Sequence, residues 1–190
     1  MSLEQKINNL ETDLHIMGTL VLDSLVGAVR ALEDKDTLKA SEVMDKDDEI
    51  DDAYMKIDQD WFELMATEQP VASDLRLSTS ILQASLHLER LGDLSVYLGK
   101  TTHEIHDLPI PESLHKIVVE MGDMVIDMAS SALESLKNRD AELALSTARK
   151  DELINSLYNK MLNEVPNISG NKDLYSGLFR LITCVRTLER

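Results

Sequence analysis

The chain contains an internal repeat, and this repeat restricts the fold more than any other feature of the sequence. Residues 17–56 and 121–160 align without gaps at an offset of 104 positions, and thirteen of the forty aligned pairs are identical. The identical pairs include the Met-Gly that opens each segment and a Lys-Asp in its second half. Self-similarity of this length predicts that one supersecondary unit occurs twice.

Each copy has the periodicity of α-helices. Along residues 10–32 apolar side chains recur at intervals of three and four, which places on one helix face Leu10, Leu14, Met17, Val21, Leu25, Ala28 and Leu32. Asp36 and Asp140 occupy equivalent positions after these helices and are predicted to be the N-caps of second helices. The 4% aromatic share and the seven glycines also favour helices over strands.

Three helices are predicted in each copy. The second helix is expected to run from Asp36 to about Thr67 and the third to about His103, and the copies are separated by Pro109 and Pro111. Because short connections make neighbouring helices antiparallel, the predicted fold is all-α, with two tandem, sequence-related antiparallel three-helix bundles. We expect the first bundle to span residues 1–107 and the second residues 108–190, with the last helix of the second bundle truncated.

Composition excludes several classes of function. The net charge of −16 argues against nucleic-acid binding, which needs clustered Lys and Arg. Cys184 is the only cysteine, so no intrachain disulfide can form, and a buried structural thiol is the expected state. No apolar run approaches the roughly 18 residues of a membrane span, and the N-terminal residues are too polar for a signal peptide. We therefore expect a cytoplasmic protein without direct membrane insertion.

Two pairs of acids stand out by their helical phase. The chain has five pairs of acids four residues apart, the spacing that places two carboxylates on one face of a helix. Asp47 with Asp51, and Glu89 with Asp93, fall within otherwise apolar stripes. Carboxylates in such positions must be protonated, paired with Lys or Arg, or bound to metal. Oxygen-only ligation favours hard cations such as Mg²⁺, Mn²⁺ or iron, whereas Arg90 is a competing source of charge balance.

Three ordered motifs carry a resemblance to a known family. They are DDEID at residues 47–51, QPVASDLR at 69–76 and LERLGD at 88–93, and together with the repeat they extend over essentially the whole chain. This pattern resembles the PhoU family of phosphate-transport regulatory proteins. The resemblance implies two similar three-helix bundles in a cytosolic negative regulator of phosphate uptake and phosphate-starvation signalling.

The resemblance also implies partners and a cofactor. A protein of this family is an adaptor between a phosphate ABC transporter ATPase and a sensor histidine kinase, and many members are homodimers. Some members bind a multinuclear iron or zinc cluster on each bundle. The metal ligands that the resemblance implies here are Asp47, Asp51, Glu89 and Asp93 in the first copy, and Asp151 and Glu189 in the second.

This chain departs from the family pattern at several of these positions. Asn155 stands where the first copy has Asp51, and the residue that would pair with Glu189 lies beyond residue 190. An Asn side chain offers a carbonyl oxygen without charge, so we expect the second cluster to be weaker and its last motif to be cut short. The family commonly continues its ERxGD motif with His and later Asn, where this chain has Leu94 and Tyr97.

Three interpretations of function remain open. No nucleophile with a base and no phosphate-binding glycine loop is recognisable, which favours a non-enzymatic adaptor. The alternative is a carboxylate-bridged di-iron oxidase or iron-storage bundle, a class built on Glu-x-x-His motifs, to which neither acid pair belongs. The third is a purely structural bundle with solvated acids. The overlapping pairs, Asp45 with Glu49 and Asp48 with Asp52, fit that description because their helical phase places them on faces open to water.

Overall fold

The computed structural model describes residues 1–189, which form eight α-helices. The helices are α1 (Leu3–Asp34), α2 (Thr37–Met44), α3 (Asp47–Glu68), α4 (Ala72–Ile105), α5 (Glu112–Asn138), α6 (Ala141–Ala148), α7 (Asp151–Glu164) and α8 (Lys172–Glu189), with a 3-10 turn at Val165–Asn167. No strand occurs within the described residues. The predicted all-α fold with two tandem bundles is confirmed.

The middle helix of each bundle is divided into two. The break falls at Asp45 and Lys46 in the first copy and at the equivalent Arg149 and Lys150 in the second. In both copies the new helix begins with an acid, and a negative charge in the first turn stabilises the start of a helix through the helix dipole. The acids that the sequence places inside one long helix therefore lie at a helix N-terminus.

The two predicted N-caps are confirmed. The Oδ1 atom of Asp36 accepts hydrogen bonds from the backbone N–H groups of Leu38 and Lys39, at 3.0 Å and 3.1 Å. Asp140 accepts one from the N–H of Leu143 at 2.9 Å. These side chains satisfy backbone donors that the first turn of a helix leaves unpaired, so they fix where α2 and α6 begin.

The hydrophobic core extends across both copies. All seven residues of the predicted α1 stripe are buried. The C-terminal half of α1 and the second half of α4 share one apolar cluster with α5 and α8. The N-terminal half of α1 shares another with α3 and the first half of α4, and Leu133 and Leu136 of α5 pack against it. The second half of α4 therefore supports both bundles.

Helices α1 and α5 contact each other through equivalent residues. Gly18 of α1 faces Leu133, and Gly122 of α5 faces Val29, where Leu133 and Gly122 are the repeat equivalents of Val29 and Gly18. A Cβ atom added at Gly122 would lie 2.7 Å from Val29 Cγ2, and one at Gly18 would lie 2.9 Å from Leu133 Cδ1. This reciprocal contact, which we call the glycine seam, relates the two copies by an approximate twofold axis.

One segment has the composition of a membrane span, contrary to the expectation from sequence. Helix α1 contains an 18-residue window that is long and apolar enough to cross a membrane, and 50% of that window is buried inside the protein. The apolar face of α1 carries the stripe that fills the core. A central helix of a bundle passes the same test of length and composition, so α1 is accounted for as a core helix.

Candidate metal centre

The four acids predicted in the first copy lie together across α3 and α4. Asp47 is the first residue of α3 with Asp51 one turn later, and Glu89 and Asp93 are one turn apart in α4. Burial, and after it the charges of Asp51 and Asp93, raises the pKa of Asp47. Burial, and after it the charges of Asp93 and Asp51, also raises the pKa of Glu89. The structure thus brings the four carboxylates into one electrostatic group, the first acid cluster.

The first acid cluster lies at the edge of the apolar face, and the predicted burial of its acids is correct only in part. Asp47 and Glu89 are half-buried, whereas Asp51 and Asp93 are exposed. Leu86, an apolar residue three positions before Glu89 and on the same side of α4, is itself 37% exposed. The two overlapping pairs of acids in residues 45–52 are exposed, as their helical phase predicted.

The acids of α4 lie further from the core than the sequence predicted, because small residues form part of the buried line of this helix. That line includes Ser78, Ser85, Gly92, Ser95 and Gly99. The serine hydroxyls do not reach across to other helices, because each donates to a carbonyl of its own helix, as Ser85 Oγ does to Leu82 O at 2.8 Å. Apolar periodicity ignores serine and glycine, so it placed the buried face of α4 too close to the acids.

No cation in the described part of the chain neutralises the first acid cluster directly. None of its four carboxylates forms an ion pair with Lys or Arg within residues 1–189. Lys100 lowers the pKa of Asp47, and Arg90 that of Glu89, but in both cases burial and the neighbouring carboxylates act in the opposite direction. The cluster is left with a net negative charge that a bound cation would relieve.

The acids of the second copy are arranged differently. Asp151 is the first residue of α7, as Asp47 is of α3. Asn155 Nδ2 donates a hydrogen bond of 3.0 Å to Asp151 Oδ2. The amide of Asn155 therefore provides a hydrogen-bond donor to the Asp151 carboxylate. At the equivalent position of the first copy, Asp51 instead adds a second negative charge beside Asp47. Glu189, at the end of the described part of α8, lines the same cavity as Asp151 and as Asp93 of the first acid cluster.

This cavity lies between the two copies. Its volume is about 560 Å³, and it is bounded by α4, α5, the end of α6, α7 and the end of the described part of α8. Most of its wall is apolar, while Asp93, Asp151 and Glu189 bring three carboxylates to it, with Arg90 the single Lys or Arg among its described lining residues. Sequence reasoning missed this site, because its walls come from segments far apart in the chain.

The donor set of the first acid cluster fits a hard cation. In the arrangement seen, no three His, Cys, Asp or Glu side chains of residues 1–189 converge closely enough to hold a metal ion. However, the cluster offers only carboxylate oxygens, which Mg²⁺, Mn²⁺ and iron accept, and its exposed members Asp51 and Asp93 have room to turn toward an ion. In the second copy the corresponding set contains the neutral Asn155.

A single Glu-x-x-His sequence occurs in residues 1–189, at Glu112 and His115 on α5. The buried His115 uses its Nε2–H to donate a hydrogen bond of 2.8 Å to the carbonyl oxygen of Leu32, and Glu112 forms an ion pair of 3.4 Å with Lys116. The His115 hydrogen bond joins the start of α5 to the end of α1, whereas the Glu112 ion pair lies within α5. A di-iron bundle needs such a motif on each of two helices, so the described residues do not favour that alternative.

Cys184 has the structural role that was predicted. Its side chain is fully buried in the core, and burial raises the pKa of the thiol to about 12. A thiol that stays protonated is neither a nucleophile nor a metal ligand at neutral pH.

Two tandem bundles, each with an acid at the start of the second half of its divided middle helix, define a class of two-repeat helical-bundle proteins. The sequence model of the PhoU domain matches residues 14–102 and 118–190, and each match contains one of the two aligned segments of the internal repeat, 17–56 and 121–160. The chain belongs to the PhoU family.

Relatives and solved structures agree with this assignment over almost the whole chain. The phosphate-specific transport system accessory protein PhoU homolog of Clostridium acetobutylicum is 31% identical, covering 98% of this chain and 86% of the relative. The homolog from Pseudomonas aeruginosa is also 31% identical, covering 97% and 77%. The crystal structure of PhoU from Pseudomonas aeruginosa superposes with a TM-score of 0.93 at 30% identity, covering 99% of this chain and 90% of that one. The phosphate transport system regulatory protein PhoU from Streptococcus pneumoniae gives a TM-score of 0.89 at 26% identity, covering 99% and 88%.

Proposed function

We propose that this protein is a regulatory accessory protein of a phosphate-specific transport system. The observation that supports this most strongly is the agreement of both repeats, in sequence and in fold, with proteins that carry this description. In this role it is a cytoplasmic, non-enzymatic negative regulator of phosphate uptake and of phosphate-starvation signalling. It acts through binding, as an adaptor between the ATPase subunit of the transporter and a sensor histidine kinase, and it forms a homodimer.

Helix α3 offers a surface suited to such an adaptor. Its outer face combines exposed acids with two exposed apolar side chains seven residues apart, Met55 and Phe62, which are 57% and 70% exposed. Large exposed apolar side chains surrounded by charge are typical of protein interaction sites. Because the chain carries a net charge of −16, the complementary surface of the partner is expected to be basic.

The adaptor role is tested with purified components. The 190-residue protein is immobilised, and the transporter ATPase subunit and the cytoplasmic part of the kinase are applied separately, with Mn²⁺ or with a chelator. We expect both partners to be retained in the presence of Mn²⁺, and Phe62→Ser to weaken retention while leaving the melting temperature unchanged. Phe179→Ser, at an exposed position on α8, is the matched control. Failure to retain either partner under both conditions would contradict the adaptor role.

We further propose that the first acid cluster binds iron, zinc, Mn²⁺ or Mg²⁺ and that binding stabilises the fold. Carboxylates whose pKa is raised by burial and by neighbouring carboxylates, as those of Asp47 and Glu89 are, gain most from a cation. The melting temperature should therefore rise with free metal concentration. Asp47→Ala and Glu89→Ala should abolish this rise, whereas Asp48→Ala, a neighbouring exposed acid, should retain it. Unchanged metal content in both cluster variants would show that the ions bind elsewhere.

A further inference from the structure

Ser24 of α1 is an exception among the buried hydroxyl groups of the protein. Eight Ser and Thr residues in the described part of the chain are buried, and seven of them donate to a backbone carbonyl oxygen of their own helix. The eighth is Ser24, which is 6% exposed and whose Oγ atom has no hydrogen-bond partner within residues 1–189. Among these residues only Trp61 Nε1 is both unpaired and sealed from solvent, so the Ser24 hydroxyl faces an open space.

That space is a cavity of about 250 Å³ between α1 and the junction of α2 and α3, which we call the serine pocket. Ser24 shares its wall with the buried side chains of Val43 and Ile50. Five further residues of the wall are charged, and they are Asp23, Lys39, Glu42, Lys46 and Glu49. None of these five forms an ion pair with another residue of the described chain. The serine pocket thus presents one hydroxyl, two ammonium groups and three carboxylates to whatever enters it.

The second copy has apolar residues at three of the equivalent positions. At the offset of 104 the replacements are Met128 for Ser24, Leu143 for Lys39 and Leu153 for Glu49. Met128 packs against the hydrophobic core of its bundle. Since the same fold accepts apolar side chains at these positions, helix packing alone does not account for the hydroxyl and the charges of the first copy.

The charged residues that the two copies share are also arranged differently. In the second copy Lys150 Nζ lies 2.5 Å from Asp127 Oδ2, which joins the start of α7 to α5. In the first copy the equivalent Lys46 and Asp23 both line the serine pocket but form no ion pair within residues 1–189. Opposite charges that stay apart across a cavity leave both available to a ligand.

We propose that the serine pocket binds a small zwitterion of the α-amino-acid class. The carboxylate of the ligand accepts hydrogen bonds from the two lysines and from the Ser24 hydroxyl, and its ammonium group donates to the three carboxylates. A simple anion is disfavoured by the three acids and a simple cation by the two lysines, whereas a ligand of both signs complements the wall. The volume lies just below the roughly 300–1,000 Å³ of typical ligand pockets, which restricts the ligand to a small molecule.

The test screens the twenty proteinogenic L-amino acids singly against the metal-free 190-residue protein in an amine-free buffer, at concentrations up to about 10 mM. Binding is detected by saturation-transfer difference NMR and quantified by calorimetric titration. We expect at least one amino acid to bind saturably. Its analogues that lack the α-amino group or the α-carboxylate should bind at least about tenfold more weakly, because each loses charge-assisted hydrogen bonds.

Two variants copy the second bundle into the first. Ser24→Met should abolish binding by filling the serine pocket, and Lys39→Leu should weaken it about tenfold. Neither should lower the melting temperature of the ligand-free protein, because each removes a polar group that has no hydrogen-bond or ion-pair partner within residues 1–189 and introduces the residue found at the equivalent position. Lys160→Leu, at an exposed lysine of α7 outside the pocket, is the matched control and should bind like the native protein.

Two results would overturn the proposal. The first is that no amino acid binds the native protein under conditions where far-ultraviolet circular dichroism shows the helical fold intact. The second is binding that survives both Ser24→Met and Lys39→Leu, since the ligand would then occupy another site. Neither result bears on the proposed adaptor role, which is read from transporter and kinase retention.

Discussion

Replacing Gly122 by alanine should destabilise the protein, although alanine is normally the better residue inside a helix. Gly122 lies in the middle of α5, where exchange for alanine would ordinarily gain about 0.5–1 kcal/mol. The new Cβ atom would approach Val29 Cγ2 to 2.7 Å and Val29 Cγ1 to 3.0 Å. Since valine has one strongly preferred rotamer in a helix, Val29 cannot turn aside, and the two backbones must separate.

The size of the effect follows from these two opposing terms. Forcing an additional carbon into a packed core costs about 1–3 kcal/mol, and subtracting the gain in helix propensity leaves a net loss of about 0–2.5 kcal/mol. For a chain of this length each kcal/mol lowers the melting temperature by about 2–4 °C. Gly18→Ala meets only the flexible methyl ends of Leu133 at 2.9 Å, so it should be neutral or slightly stabilising.

Thermal and urea unfolding of a double-mutant cycle separates packing from propensity. Val29→Ala removes both clashing methyl groups, so Gly122→Ala should be less destabilising in the Val29→Ala background than in the native chain, with a coupling energy of about 1 kcal/mol. A Gly122→Ala protein that melts at higher temperature than the native one, with no coupling to Val29, would refute the close approach of α1 and α5 at the glycine seam.

Three further predictions address the acids, the thiol and the helix caps. The pKa of Asp47 is raised above 3.8 in the folded state. At a pH above the pKa of the unfolded chain, the charged carboxylate of Asp47 therefore destabilises the folded state. Asp47→Asn should therefore raise the melting temperature at pH 7 in the presence of a chelator, and this gain should shrink as the pH falls through the folded pKa, whereas a gain independent of pH would contradict the cause given. Cys184 should resist alkylation at pH 8 in the native protein and react only on unfolding, as followed by mass spectrometry. Asp36→Ala and Asp140→Ala should each cost about 0.5–2 kcal/mol in urea unfolding. Asp36→Ala should cost the more of the two, since Asp36 accepts two backbone hydrogen bonds and Asp140 one.

Sequence periodicity predicts the core well where the buried residues are large and apolar, as in α1. In α4 the same reasoning misplaces the buried face, since Ser85, Gly92 and Ser95 are buried for their small size. The division of each middle helix was also missed, because a run of acids reads equally well as a solvated helix face or as a helix N-terminus. The sequence contains one indication of where these helices divide. The Lys-Asp dipeptides that end in Asp47 and Asp151 align in the repeat and mark the starts of α3 and α7.

The candidate metal centre could be predicted from sequence only in part. Four-residue spacing brings Asp47 near Asp51 and Glu89 near Asp93, because both pairs lie within one helix. The packing of α4 between the copies brings the two pairs together. The same packing places Asp93 at the cavity that Asp151 and Glu189 also line. Proximity between acids on different helices is set by tertiary packing, and it cannot be predicted from the spacing of acids along the chain.

The glycine seam has a consequence for how a chain of this kind could arise. A contact in which each side presents the same two positions to the other is isologous, the geometry of a twofold-symmetric dimer. A polypeptide with a single repeat therefore already possesses both halves of the seam, Gly and its apolar counterpart eleven residues later, and can pair with another copy of itself. Joining two such copies through the segment at residues 106–111 makes that pairing independent of concentration. Once joined, each copy could change alone, as Asp51 and Asn155 show.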